Sequence, residues 1–122
     1  MSSILSLASL LLPEGMLEHF VIVSICEATN LKTKKGEYHI ELDEKNNLPS
    51  KYEDYESKGF LARKHVQDFP VRGKGLHLHI RRRRWRDKHG QRPDIKSDYS
   101  FIAKGVMLTD ELAHFLKDGS PN

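Results

Sequence analysis

The sequence predicts an α+β fold: about five antiparallel strands in a small sheet or ribbon, with a helical N-terminus and one C-terminal helix. Two observations lead there. Stretches of alternating or β-branched residues recur between 20 and 108, and helix punctuation is concentrated near the two ends. No internal repeat is evident. At 122 residues the chain reads as one domain, 1–122, large enough for a single modest core.

Near the N-terminus Ile4, Leu5, Leu7, Ala8, Leu10, Leu11 and Leu12 fall close to helical spacing, and Pro13 ends the run. The run lacks a basic flank and is too short to span a bilayer, so it reads as an amphipathic or core helix. A short helix to Phe20 follows, with Glu14 in its first turn and Gly15 weakening it. Residues 20–27 are rich in Val and Ile and predict a strand. A polar turn over 29–36 leads to a second strand at 37–43, in which Tyr38, Ile40 and Leu42 face inward and His39, Glu41 and Asp43 face water. The two form an antiparallel hairpin. Residues 44–58 carry many charges and few apolar groups and read as a long loop, while 59–68 regains strand character. A closing strand is expected over 98–108. Thr109 as N-cap, Asp110 and Glu111 in the first turn and Gly119 as stop define a helix at 109–118, striped by Leu112, Phe115 and Leu116.

The central stretch, 67–88, joins a turn to an amphipathic strand and then to a block of positive charge, the basic ribbon at 74–88. Leu76, Leu78 and Ile80 share one parity, and His77, His79, Arg81, Arg83 and Trp85 share the other. Arg82, Arg84 and Arg86 continue the core parity. Unless carboxylates meet them the strand must leave the core there, because a buried unpaired charge is too costly. The basic half is therefore expected to protrude as one arm of a hairpin returning near 99–106, with 87–93 as its loop. Between Arg72 and Lys88 there are eight Lys or Arg against one acid, whereas 27–56 holds eight acids against five Lys or Arg. With a formal net charge of only +3, this segregation points to a local polyanion contact.

Cys26 is the only cysteine, which excludes an intramolecular disulfide and a multi-cysteine zinc site and fits a reducing cytoplasm. It reads as a small core residue. Asp43, Asp68, Asp98 and Glu111 sit on turns and a helix cap, so they read as structural and the chain as non-enzymatic. His77 and His79 form an i, i+2 pair that could place two imidazoles on a metal if His65 or His39 converged. Surface histidines are the plainer reading, and no metal or cofactor is expected.

Several segments resemble the N-terminal region of bacterial insertion-sequence transposases, in a branch where a small protein accompanies a separate catalytic chain. They are Ser57-Lys-Gly-Phe60, Val66-Gln-Asp-Phe-Pro-Val-Arg-Gly73, Leu78-His-Ile-Arg-Arg-Arg-Arg-Trp85, Ser97-Asp-Tyr99, Ala103-Lys-Gly105, Thr109 to Lys117 and Leu12-Pro-Glu-Gly-Met-Leu-Glu-His-Phe20. A wider relative is the zinc-finger segment ahead of other such catalytic domains, whose two cysteine pairs this sequence lacks. The resemblance implies DNA binding in transposition, with double-stranded element ends and a catalytic transposase chain as partners and a homo-oligomer possible.

The residues assigned to DNA contact are Arg72, Lys74, Arg81, Arg82, Arg83, Arg84, Trp85, Arg86 and Lys88. Arginine meets phosphates or reads guanine, and Trp85 would stack on a base. Arg81 and Arg83, on the parity of Trp85, are the foremost candidates for direct contact. A protein-interaction subunit without DNA contact of its own, and a small metalloenzyme built on His77 and His79, are the rival readings.

Overall fold

The computed structural model describes residues 10–13, 15–97 and 99. A helical turn, α1 (Met16–His19), leads into strands β1 (Phe20–Thr29) and β2 (Gly36–Glu44). A 3-10 turn at Ser50–Tyr52 precedes β3 (Tyr55–Phe60), β4 (Lys64–Val71), β5 (Lys74–Arg81) and β6 (Arg83–Asp87). The α+β class stands. The expected helix at 109–118, the closing strand beyond Tyr99 and residues 1–9 lie outside the described residues.

Four strands form one sheet in the order β1-β2-β5-β4, and β3 pairs with β6 in a second, two-stranded sheet. The β1–β2 hairpin turns on Asn30, whose side-chain oxygen accepts the N–H groups of Lys32 and Thr33. The β4–β5 hairpin turns through Arg72 and Gly73, both at positive φ. Against the all-antiparallel expectation, β2 and β5 run parallel, with Ile40 opposite Leu78 and Leu42 opposite Ile80. The connection between them is long enough for a crossover, because it carries β3 and β4.

Two further boundaries differ from the sequence reading. The stretch expected as one loop, 44–58, holds the 3-10 turn and most of β3. The strand expected over 59–68 is divided at 61–63, where the chain passes from the small sheet to the large one. Gly59, at φ 104, marks the departure, and the Leu61 N–H donates to the carbonyl of Arg82.

Alternation along β5 sets the core. Leu76, Leu78 and Ile80 are buried and meet Ile40 and Leu42 of β2 and Val66 of β4, with Leu12, Met16 and Phe20 closing the cluster. Cys26 departs from expectation in being exposed. A bulge between Ile22 and Ser24 shifts the phase of β1, so Cys26 sits opposite His39 on the polar face while Ile25 pairs with Ile40. Truncating the best-buried side chain of β5, Leu78→Ala, should cost about 2–5 kcal/mol in urea unfolding. His77→Gln, on the other face, should cost far less.

Candidate nucleic-acid interface and the histidine face

The basic run does not protrude. At Arg82 the chain leaves the large sheet and enters the small one, pairing with β3 (Ser57 opposite Trp85, Glu56 opposite Arg86) and bridging to Ile95. A one-residue step in a period-two strand exchanges its faces. Ile80 and Trp85, five positions apart, therefore both point inward, and the outward residues of β6 and its end become Arg84, Arg86 and Lys88.

Trp85 corrects the sequence reading most sharply. It is 1% exposed, its indole N–H donates to Asn46 Oδ1 at 2.9 Å, and its backbone exchanges both hydrogen bonds with Ile95. Such a ring packs the small sheet and has no face to offer a base.

Arg83 is likewise structural. Its Nε donates to the Glu44 carbonyl at 2.8 Å and its Nη1 to Ser57 Oγ at 2.9 Å, with its guanidinium 4.5 Å from the centre of the Phe60 ring. Arg81 makes a two-pronged contact with Asp43, at 3.0 and 2.6 Å, and lies 3.8 Å from the same ring. Burial raises the Asp43 pKa, but hydrogen bonding and charge from Arg81, with Arg63 added, outweigh it and hold the carboxyl below its ordinary value. Arg82 donates to the Ser97 carbonyl, and Lys74 meets Glu27 and lies over the Tyr38 ring.

The strand stays by another route than the sequence condition: Asp43 receives Arg81, backbone carbonyls receive Arg82 and Arg83, and the step at Arg82 turns Arg84 and Arg86 to solvent. Asp87, beyond Trp85, completes the small sheet. Buried, it accepts the N–H groups of His89, Gln91 and Arg92 and the Arg92 side chain. The Arg92 hydrogen bond, then the backbone donors, hold its pKa far below the ordinary carboxylate range.

Four assigned residues are open to solvent: Arg72 on the β4–β5 turn, then Arg84, Arg86 and Lys88. Arg84 lies 3.7 Å from Asp94 and Arg86 3.3 Å from Glu56, while Lys88 donates to the Glu53 carbonyl. These are exposed, replaceable pairings. Residues 50–97 hold fourteen Lys or Arg against six Asp or Glu, so this segment carries a surplus of eight positive charges.

The sheet face opposite the core carries His39 of β2, His77 and His79 of β5, and His65 of β4. Register places His39 opposite His77 and His65 opposite His79. The rings stack or tilt with centroids 4.7–5.1 Å apart. Sequence parity puts these residues outward but does not by itself bring all four together. Among the described residues no group of three or more His, Cys, Asp or Glu is set to hold a metal ion. The ring nitrogens instead approach one another in pairs at 2.8 and 2.6 Å, less than the roughly 3.3 Å that separates two nitrogens sharing a tetrahedral zinc ion.

Comparison of the chain with family models, curated proteins and solved structures gives no match. Among the described residues no helix is long and apolar enough to cross a membrane.

Trp85→Ala should cost about 3–5 kcal/mol of stability, as for a buried aromatic truncation. Asn46→Ala should cost under about 1 kcal/mol, since Asn46 is exposed and water can take the place of its amide oxygen. Equal losses in thermal and urea unfolding would contradict this placement of the indole.

Proposed function

We propose that the chain is a non-catalytic DNA-binding module of an insertion-sequence transposition system, acting beside a separate catalytic transposase chain in the cytoplasm. The observation that carries the reading is the outward row Arg84, Arg86 and Lys88 on one strand face, backed by the positive surplus of residues 50–97. Alternate residues of a strand lie about 6.6–7 Å apart on one face, so the row presents three cations in line to a phosphate backbone. Their carboxylate and carbonyl partners are exposed and can be exchanged for phosphates, with release of counterions. Arg72 adds a fourth exposed cation on the β4–β5 turn.

A second reading, that of a protein-interaction subunit of the transposase complex without DNA contact of its own, has its own support. Edge strand β1 exposes Val21, Val23 and Ile25, and Leu31 lies beyond its end. An apolar strand that ends the sheet among the described residues favours a protein partner.

The two readings part on salt. The variant Arg84→Ala/Arg86→Ala/Lys88→Ala should bind duplex DNA more weakly, both random sequence and the ends of the native element. The slope of log K against log salt should become shallower by about 0.9 for each phosphate that the variant no longer neutralises. Stability should change by no more than about 1 kcal/mol per exposed pair. If the triple variant binds as the wild type does across the salt series, the DNA reading fails and the protein-partner reading replaces it.

A further inference from the structure

The histidine face has a closed proton inventory. Glu37 Oε1 lies 3.2 Å from His39 Nε2, and Oε2 lies 3.2 Å from His77 Nε2. An ionised carboxylate only accepts, so both rings carry their proton on Nε2 and present Nδ1 as an acceptor. His39 Nδ1 faces His79 Nε2 at 2.8 Å, and His77 Nδ1 faces His65 Nε2 at 2.6 Å. His79 and His65 must therefore supply Nε2–H. Four neutral rings, each protonated on Nε2, make three hydrogen bonds, and the Nε2–H of His77 stands 3.2 Å from the second oxygen of Glu37.

An added proton disturbs this arrangement wherever it lands. On Nδ1 of His39 or His77 it sets two N–H groups against each other and abolishes a bond. On His65 or His79 it leaves the bond but places an imidazolium against rings whose centres lie within about 5 Å. The surroundings offer little compensation. Among the groups facing the cluster, Glu41 receives Ser24 Oγ from β1 and lies 3.6 Å from Arg63, Asp43 is taken by Arg63 and Arg81, and Glu37 is held by Asn30. From β1, Cys26 stands opposite His39, and from β4, Gln67 stands opposite His77.

We propose that the four-histidine face is a pH-operated joint, in which neutral imidazoles clasp β2, β5 and β4 together and their protonation loosens the β4 edge. Burial, followed by repulsion from neighbouring histidines, depresses the pKa of both His65 and His79 below the ordinary 6.5. The sign follows from linkage. Between the folded and unfolded pKa the unfolded chain binds more protons, so the contribution of these rings is whole above about 6.5 and falls as pH is lowered through that value. Asp43, Asp87 and Glu37 all have lowered pKa values, so their contributions are whole above the ordinary carboxylate range and begin to fall only as pH drops into it, at about 4.5 and below. The histidine window stands apart from theirs.

The test is urea unfolding in steps from pH 8 to pH 5, with amide exchange followed at Val66 and Gln67. For the wild type the unfolding constant should rise as pH falls below 6.5, by up to about tenfold per pH unit for each ring that charges only on unfolding. Exchange along β4 should quicken before that of β1. His65→Gln/His79→Gln should flatten the profile in this window, whereas His89→Gln, on an exposed turn, should keep the wild-type slope. Should the double variant not fold at pH 8, ring titration of the wild type by NMR decides the matter: His65 and His79 should titrate below 6.5 in the folded protein. A wild-type profile flat from pH 8 to 5.5, a double variant with the wild-type slope, or rings titrating at or above 6.5 would each overturn the proposal.

Discussion

The buried carboxylate of Glu44 is the constraint on which the two sheets depend. It ends β2, is 2% exposed, and accepts the backbone N–H of Arg83 at 2.9 Å where the chain has just left the large sheet. Its other oxygen accepts the hydroxyl of Tyr99, whose ring packs edge-on against Phe20 at the start of β1. Burial, then the bond to Glu44, pushes the Tyr99 pKa upward, so the phenol remains a donor. One side chain thus joins the end of β2, the crossing point at Arg83 and the chain returning at residue 99. A buried acceptor stripped of such donors is costly, which makes the crossing specific as well as stable.

That crossing decides which arginines face water. Without it, the strand parity of Leu76, Leu78 and Ile80 would have run on and turned Arg83 and Trp85 outward together. The step at Arg82 turns Trp85 and Asp87 inward and hands the surface to Arg84, Arg86 and Lys88. The charge that looks segregated along the chain is partly recombined in space: Arg81 with Asp43, Arg86 with Glu56, Lys74 with Glu27. What is left for a polyanion is a residual surplus on one strand face, weaker than a protruding arm of four arginines but held in fixed spacing by a packed tryptophan beneath it.

Much of the large sheet is legible in the sequence because alternation is a local property. The inward set Tyr38, Ile40, Leu42 and Leu76, Leu78, Ile80 follows from period two alone, as does the outward set of histidines. Pairing direction is not legible, since nothing in the alternation of β2 or β5 says which way its neighbour runs. Cys26 escapes the pattern because a bulge at residue 23 shifts the phase of β1 by one, and no residue type announces it. Trp85 escapes it for a related reason. A break of one residue inside an apparently continuous strand is invisible when every residue from 81 to 84 is arginine, because identical residues carry no phase.

The parallel register of β2 and β5 ties these points together. It sets His39 beside His77 and Glu41 beside His79 on one face, with Ile40 against Leu78 and Leu42 against Ile80 on the other. Each backbone pairing therefore serves an apolar contact and a polar contact at once. The apolar contacts are indifferent to pH, whereas the imidazole contacts suit one proton per ring: a second costs a bond at His39 or His77 and sets a charge against neighbouring rings at His65 or His79. Among the described residues β4 is the last strand of the sheet and brings to the apolar side mainly Val66, so the balance between the two kinds of contact is least favourable there. Central β5 has neighbours on both sides and the deepest side chains, and it should outlast β4 when the imidazoles charge.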